Sequence, residues 1–125
     1  MGFFSKLFGK GSPKQQETER HSYNEILEFI IIYKGNTDSD EQADKYIDLE
    51  NELWMYDCIG QSGAMSSKTA KEYGMPLPTY PEYPLIGVFD LSESKGYPEI
   101  FTKPLIISSK KEEIKRFLEE FERAD

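Results

Sequence analysis

Four prolines stand within one nine-residue stretch of the chain: Pro76, Pro78, Pro81 and Pro84. Proline lacks the backbone N–H that a helix needs, and its ring clashes with the preceding turn, so this stretch cannot be helical. An apolar run, residues 85–89, follows directly and has the length of a buried strand. The chain must therefore approach this strand through a stiff, irregular connection.

Strands and helices are predicted to alternate before the prolines. The apolar, β-branched residues 29–33 predict a strand buried on both faces. Residues 40–52 predict a helix, because Ser39 and Gln42 have capping-box spacing and apolar side chains recur with helical periodicity. Further predictions are a second strand over 54–59, a turn over 60–63, and a short helix from Ser66 or Ser67 to Gly74.

Two strands and a helix are predicted after the prolines. Residues 85–90 predict the third strand and residues 100–107 the fourth. Pro104 would place the fourth strand at an edge or a bulge, because proline cannot donate to a strand ladder. The last helix is expected to follow a capping box begun by Ser109, and its buried stripe would be Ile114, Phe117, Leu118 and Phe121.

This order of elements predicts an α/β fold. A strand–helix–strand start requires a parallel pair with a right-handed crossover, whereas a later pair joined by a short loop is antiparallel. The prediction is a mixed four-stranded sheet in the order β-α-β-α-β-β-α, with helices on both faces. A chain of 125 residues fits one such domain. We assign it to residues 22–125, after an amphipathic segment and linker over residues 1–21.

The charge favours a protein partner and disfavours other classes. The net charge is −8, and an acidic body repels a phosphate backbone but attracts a basic protein. We therefore expect a protein as the partner, and a partner with a basic surface would fit this charge. We expect no binding of nucleic acid. No apolar run approaches the roughly 20 residues of a membrane-spanning helix, and no secretory signal pattern is expected at the N-terminus. These features predict a cytoplasmic location.

Metal, cofactor and disulfide chemistry are not indicated. The chain has one cysteine, Cys58, and one histidine, His21, so an intramolecular disulfide and a His-rich zinc site are excluded. The acidic residues of 38–44 suggest calcium, but the EF-hand spacing counted from Asp38 fails at its glycine and glutamate positions. We expect no metal and no cofactor.

The first ten residues form a small amphipathic pattern. Lysines are interspersed among four apolar side chains, Phe3, Phe4, Leu7 and Phe8. This combination suits weak peripheral contact of residues 1–10 with an anionic membrane, or docking in the groove of a partner. The alternatives are that these side chains pack onto the domain or remain disordered.

Two local segments resemble the thioredoxin-like superfamily. Residues 69–75, Thr-Ala-Lys-Glu-Tyr-Gly-Met, are similar to the second helix of thioredoxins with its Tyr-Gly ending. Residues 83–86, Tyr-Pro-Leu-Ile, resemble the segment where that family places a cis-proline before its third strand. The resemblance extends over residues 26–123 through the order of elements. It implies that the loop after the first strand and the proline-rich loop meet at one end of the sheet, where substrates of that family dock.

The chain departs from that family at the reactive position. Thioredoxins carry Cys-x-x-Cys directly after the first strand, whereas residues 34–40 contain no cysteine. Disulfide exchange needs a thiolate and a resolving thiol, so we expect a redox-inactive domain. It would act as a protein-binding adaptor or as an acidic inhibitor of the immunity type. The binding residues predicted from the resemblance are Asn36, Thr37, Asp38, Tyr80, Tyr83 and Pro84.

Two features keep alternative interpretations open. Cys58 is the only candidate thiol nucleophile, so a single-cysteine thiol oxidoreductase or peroxidase is the alternative function. Its predicted place in or at the end of the second strand, beside Asp57, favours a buried structural cysteine instead. The proline-rich loop is either a recognition surface, including a P-x-x-P ligand for an aromatic groove, or a rigid connector.

Overall fold

The computed structural model of the protein describes residues 26–93 and 99–123. Within these ranges the strands are β1 (Leu27–Tyr33), β2 (Ile59–Ser66), β3 (Leu85–Asp90) and β4 (Ile106–Ser108), and the helices are α1 (Asp40–Asp44), α2 (Ile47–Leu53), α3 (Ser67–Glu72) and α4 (Lys111–Arg123). The spatial order of the sheet is β2-β1-β3-β4. Strands β1 and β2 are parallel, and β3 runs antiparallel to both β1 and β4. The predicted α/β class with a mixed four-stranded sheet is confirmed.

Strand β1 lies in the middle of the core, and its side chains alternate between two apolar clusters. Phe29 and Ile31 face a cluster to which α1, α2 and α4 contribute Ala43, Leu53, Ile114 and Leu118. Ile30 and Ile32 face a second cluster, to which α3 contributes Ala70. All seven residues of β1 are buried, as the sequence predicts for a strand covered on both faces.

The second strand lies further along the chain than the sequence predicts. The predictions of a strand over 54–59 and a turn over 60–63 are wrong, because helical hydrogen bonds continue past α2 as far as Tyr56 and β2 begins only at Ile59. The small residues of 60–64 are weak strand formers by themselves. They pair with β1 in the sheet, and this tertiary pairing outweighs intrinsic propensity.

The fourth strand, predicted over residues 100–107, is present but much shorter. Glu99–Thr102 forms a 3-10 turn, and β4 is limited to Ile106–Ser108. Phe101, within this turn, is fully buried in the second cluster. Its burial there keeps residues 99–102 from pairing with the sheet. Pro104 consequently lies in the connection before β4 and not within a strand. The fourth strand is nevertheless at an edge of the sheet, as predicted.

Helix boundaries follow the predicted capping chemistry with two exceptions. Ser109 does not cap α4: its hydroxyl donates to Glu82 at 3.4 Å, and the first hydrogen bonds of that helix run to the carbonyl of Lys110. The predicted helix over 40–52 is divided into α1 and α2 at residues 45–46. Ser39 caps α1 and Ser66 caps α3, each accepting a hydrogen bond from an N–H three residues further on. Gly74 follows the end of α3 with φ of 83°, a conformation that a residue with a side chain adopts only with strain.

Candidate recognition surface

The pairing of the strands brings two loops to one end of the sheet. The last residues of β1 and β2, Tyr33 and Ser66, are register partners. Because β3 runs antiparallel to β1, the first residue of β3 lies next to the end of β1. The β1 loop, residues 34–39, therefore lies at the same end of the sheet as the proline loop, residues 76–84.

The β1 loop is fastened to the first turn of α3. The Ser67 hydroxyl accepts a hydrogen bond from the N–H of Gly35 at 3.2 Å and donates to the carbonyl of the same residue at 3.0 Å. That carbonyl also accepts from the N–H of Lys68 at 3.2 Å. Asn36 and Thr37 are exposed directly after this attachment. These two predicted site residues are thus accessible on a loop that is held in place.

Asp38, the third predicted residue of the β1 loop, is used within the fold. Its Oδ1 atom accepts a hydrogen bond from the N–H of Ser66 at 2.9 Å, which ties the loop to the end of β2. The next residue, Ser39, donates its N–H to the hydroxyl oxygen of Tyr33 at 2.9 Å. Asp38 therefore positions the loop and the start of α1.

Two tyrosines near Asp38 stay protonated. Burial raises the pKa of Tyr33; the hydrogen bond from Ser39 opposes this shift, and the charge of Asp38 adds to it. The pKa of Tyr73 is also raised, first by burial and then by the charges of Asp38 and Glu72. Both phenols therefore remain neutral at physiological pH, and neither supplies a base at this end of the sheet.

The proline loop is anchored at both ends and projects Tyr80. Leu77 and Tyr83 are half-buried and pack on the second cluster. Between them the chain bends at Thr79 and Tyr80, and the Tyr80 side chain is 91% exposed. Pro84 is half-buried, and its peptide bond with Tyr83 is cis. The bend does not fit the straight polyproline II helix of a P-x-x-P ligand. The loop is instead an anchored support for one exposed aromatic ring.

Cys58 lies at the opposite end of the sheet. Its carbonyl accepts a hydrogen bond from the N–H of Leu27 at 2.9 Å, beside the start of β1. At about 3.3 Å per strand residue, the length of β1 separates it from the β1 loop by roughly 20 Å. The predicted place of Cys58 in or at the end of the second strand is wrong, because that strand begins at Ile59.

The surroundings of Cys58 do not activate a thiol. The residue is 3% exposed, and its N–H donates to Glu122 Oε2 at 3.0 Å. Reactive cysteines are partly exposed and lie near cations or a helix N-terminus, which stabilise the thiolate. A buried cysteine beside a carboxylate behaves as a small apolar side chain.

Sequence reasoning missed a buried polar chain between α2 and β2. The indole N–H of Trp54 donates to the Ser62 hydroxyl at 2.9 Å, and that hydroxyl lies 3.2 Å from Glu50 Oε2, to which it donates. All three residues are buried. No sequence signal marks them, because Ser62 falls in a predicted turn and only the actual position of β2 brings it to the helix. This chain of hydrogen bonds joins α2 to β2 and has a structural role.

Several predicted features lie outside the described residues. Phe3, Phe4, Leu7 and Phe8 belong to this part of the chain, so contact of residues 1–10 with a membrane or a partner stays a prediction. Among the helices that the structure does describe, none is long and apolar enough to cross a membrane. Among the residues that the structure describes, no three His, Cys, Asp or Glu side chains are grouped so that they could hold a metal ion.

Comparison with known proteins found no matching family model, no similar curated protein and no similar solved structure. The function of the protein must therefore be inferred from the geometry of this surface.

Proposed function

We propose that this protein is a redox-inactive, thioredoxin-like domain that binds another protein through the β1 loop and the proline loop. The observation that carries the proposal is the 91% exposure of Tyr80 on a loop whose two ends are anchored. Large aromatic side chains contribute most to protein–protein affinity when a partner removes them from water. Asn36 and Thr37 lie at the same end of the sheet and would contribute polar contacts around this ring.

The strand pairing supports the thioredoxin-like interpretation. The parallel pair β1–β2 and the antiparallel pair β3–β4 agree with the element order on which the resemblance rests. Pro84 directly precedes β3, and the resemblance places a proline of that family just before its third strand. A binding surface made of the two loops is the use of this sheet end that the resemblance implies.

The position of the only cysteine supports a role without redox chemistry. Residues 34–40 contain no thiol, and Cys58 is buried about one strand length away from the β1 loop. Disulfide exchange requires an accessible thiolate that can attack a partner's disulfide. The proposed surface therefore works through shape and contact.

The overall charge favours a basic partner. With a net charge of −8, the protein attracts positively charged proteins and speeds their encounter. Glu82 is exposed two residues from Tyr80 and adds a carboxylate to the proline loop. An acidic inhibitor of the immunity type, in which the loops occupy a basic site on the partner, is the narrower form of this proposal. An adaptor that joins two proteins is the broader one.

The test is to compare three versions of the full-length protein as baits in native lysate: the natural protein, Tyr80→Ala and Met55→Ala. Met55 is 80% exposed in the turn that follows α2 and provides a matched control for loss of an exposed apolar side chain. We expect one stoichiometric partner to be retained by the natural protein and by the control. With that partner purified, Tyr80→Ala should weaken binding by roughly 30-fold, the effect of losing a hot-spot residue.

Two results would contradict the proposal. Equal affinity of the Tyr80→Ala protein and the natural protein would exclude the proline loop from the interface. Failure of any stoichiometric partner to bind the natural protein would count against a binding role altogether.

A further inference from the structure

Helix α3 is hydrogen-bonded to both loops of the proposed recognition surface. Its first turn holds the β1 loop, because the Ser67 hydroxyl accepts from the N–H of Gly35 at 3.2 Å and donates to the carbonyl of Gly35 at 3.0 Å. The N–H of Lys68 donates to the same carbonyl at 3.2 Å. Three hydrogen bonds from α3 therefore converge on one residue of the β1 loop.

The residue before α3 holds the β1 loop at a second point. The backbone N–H of Ser66 donates to Asp38 at 2.9 Å. The Ser66 hydroxyl caps α3 by accepting from the N–H of Thr69 at 3.2 Å. Ser66 and Ser67 are both buried, so these bonds lie in a region of low dielectric, where they are stronger than in water. The β1 loop and the start of α3 consequently form one connected unit.

The other end of α3 holds the start of the proline loop. The N–H of Met75 donates to the carbonyl of Ala70 within the helix at 3.0 Å. The N–H of Leu77 donates in turn to the carbonyl of Met75 at 3.0 Å. Ala70 and Met75 are buried in the second cluster, and Leu77 packs against it. The first residues of the proline loop therefore follow the position of the helix.

The small size of α3 makes its two ends depend on each other. The helix comprises six residues, of which Ser67 and Ala70 are buried. A helix of this length is not stable by itself, because isolated helices shorter than about 12 residues are marginal in water. Tertiary contacts must hold it, and short segments of this kind open as cooperative units. Loss of the contacts at one end should therefore loosen the other.

We propose that Ser67 is a positioning residue, which fixes the start of the proline loop through α3 although its own hydrogen bonds are to the β1 loop. The inference rests on the proposed function, because it treats the two loops as one recognition surface. A partner that holds Asn36 and Thr37 also steadies the proline loop and places Tyr80 for contact. The two loops thereby bind as one unit.

Native-state amide hydrogen exchange, followed by NMR on the full-length protein, tests the coupling without a partner. Ser67→Ala removes both side-chain hydrogen bonds to Gly35. The Gly35 amide reports this direct loss, and the Leu77 amide reports the far end of α3. The Leu118 amide, in the fully buried part of α4, reports overall stability.

We expect exchange of the Gly35 amide to quicken about tenfold in this variant, the effect of losing part-buried hydrogen bonds. The Leu77 amide should quicken about threefold, which is typical of coupling through packed and hydrogen-bonded residues. Any change at Leu118 should be smaller. The matched control is Ser92→Ala, which removes a hydroxyl that donates to Asp90 at the opposite end of the sheet. It should leave the amides of both loops unchanged.

A second variant tests the coupling from the other end of α3. Gly74 follows the helix with φ of 83°, and a Cβ there would lie 3.2 Å from the Thr102 side chain. Gly74→Ala therefore strains the end of α3 next to the proline loop. Because coupling between two sites is reciprocal, exchange of the Gly35 amide should quicken about threefold in this variant. This variant carries the test if Ser67→Ala fails to fold.

Two results would overturn the proposal. One is faster exchange at Gly35 in Ser67→Ala with unchanged exchange at Leu77, because the two loops would then move independently. The other is equal quickening at Leu77 and Leu118, which would show a loss of overall stability and no positioning role. Either result leaves the proposed function standing, since that function is decided by the binding comparison with Tyr80→Ala.

Discussion

The Ser62→Ala substitution isolates the buried polar chain that joins α2 to β2. The Ser62 hydroxyl is fully buried, accepts from Trp54 at 2.9 Å and donates to Glu50 at 3.2 Å. Alanine would leave the Trp54 indole N–H without its acceptor, at about 1–3 kcal/mol for an unsatisfied buried donor, and would remove a second bond worth about 1 kcal/mol. The expected loss of unfolding free energy is therefore about 2–4 kcal/mol.

Urea denaturation followed by far-UV circular dichroism measures this loss. For a domain of this size, each kcal/mol lowers Tm by roughly 3–5 °C, so Tm should fall by about 10 °C. Ser109→Ala, which removes a hydroxyl near the surface, should change the free energy of unfolding by no more than about 0.5 kcal/mol.

A double-mutant cycle with Trp54→Phe shows whether the hydrogen bond itself is responsible. Phenylalanine lacks the indole N–H, so Ser62→Ala should cost about 1–2 kcal/mol less in that background than in the natural protein. The reasoning is refuted if Ser62→Ala costs less than about 0.5 kcal/mol, or if its cost is the same in both backgrounds.

Two further predictions concern titration and thiol reactivity. The pKa of Tyr56 is raised to about 12, first by burial and then by its hydrogen bond to Glu119. Because the unfolded tyrosine ionises near pH 10, the stabilisation from this shift is complete below that pH and is lost as pH rises towards 12. Comparing the ultraviolet absorbance titration of the natural protein with that of Tyr56→Phe checks this: the phenolate absorbance that the variant lacks should appear near pH 12, and its appearance near pH 10 would contradict the prediction. Cys58 should react slowly with iodoacetamide in the native protein from pH 7 to 9 and rapidly after unfolding, because it is 3% exposed. Fast labelling of the native protein near neutral pH would favour the thiol-enzyme alternative.

The second strand illustrates why part of the fold could not be predicted. Its residues 60–64, Gly-Gln-Ser-Gly-Ala, include no β-branched or aromatic side chain, so neither alternation nor propensity indicates a strand. Trp54 and Tyr56 do have strand propensity, yet helical hydrogen bonds continue from α2 to Tyr56. The predicted second strand, over residues 54–59, is consequently displaced from its actual place by several residues. With β2 misplaced, neither the contact of Ser62 with Glu50 nor the position of Cys58 before the strand could be anticipated.

The sequence by itself determined the features that depend on neighbouring residues. The continuous apolar run of β1, the prolines before β3 and the helical periodicity of α4 each specify local structure through steric limits and patterning. The lack of cysteine in residues 34–40 can likewise be read directly and argues against disulfide exchange.

Only the tertiary structure decided which of these residues are accessible and which lie together. Tyr80 and Tyr83 have the same chemistry within one loop, but Tyr83 packs on the second cluster while Tyr80 is 91% exposed. Cys58 is buried in the first cluster, and its N–H donates to Glu122, 64 residues away in the chain. Burial depends on such distant neighbours, whereas sequence periodicity reports only those within one helical turn or a few strand residues.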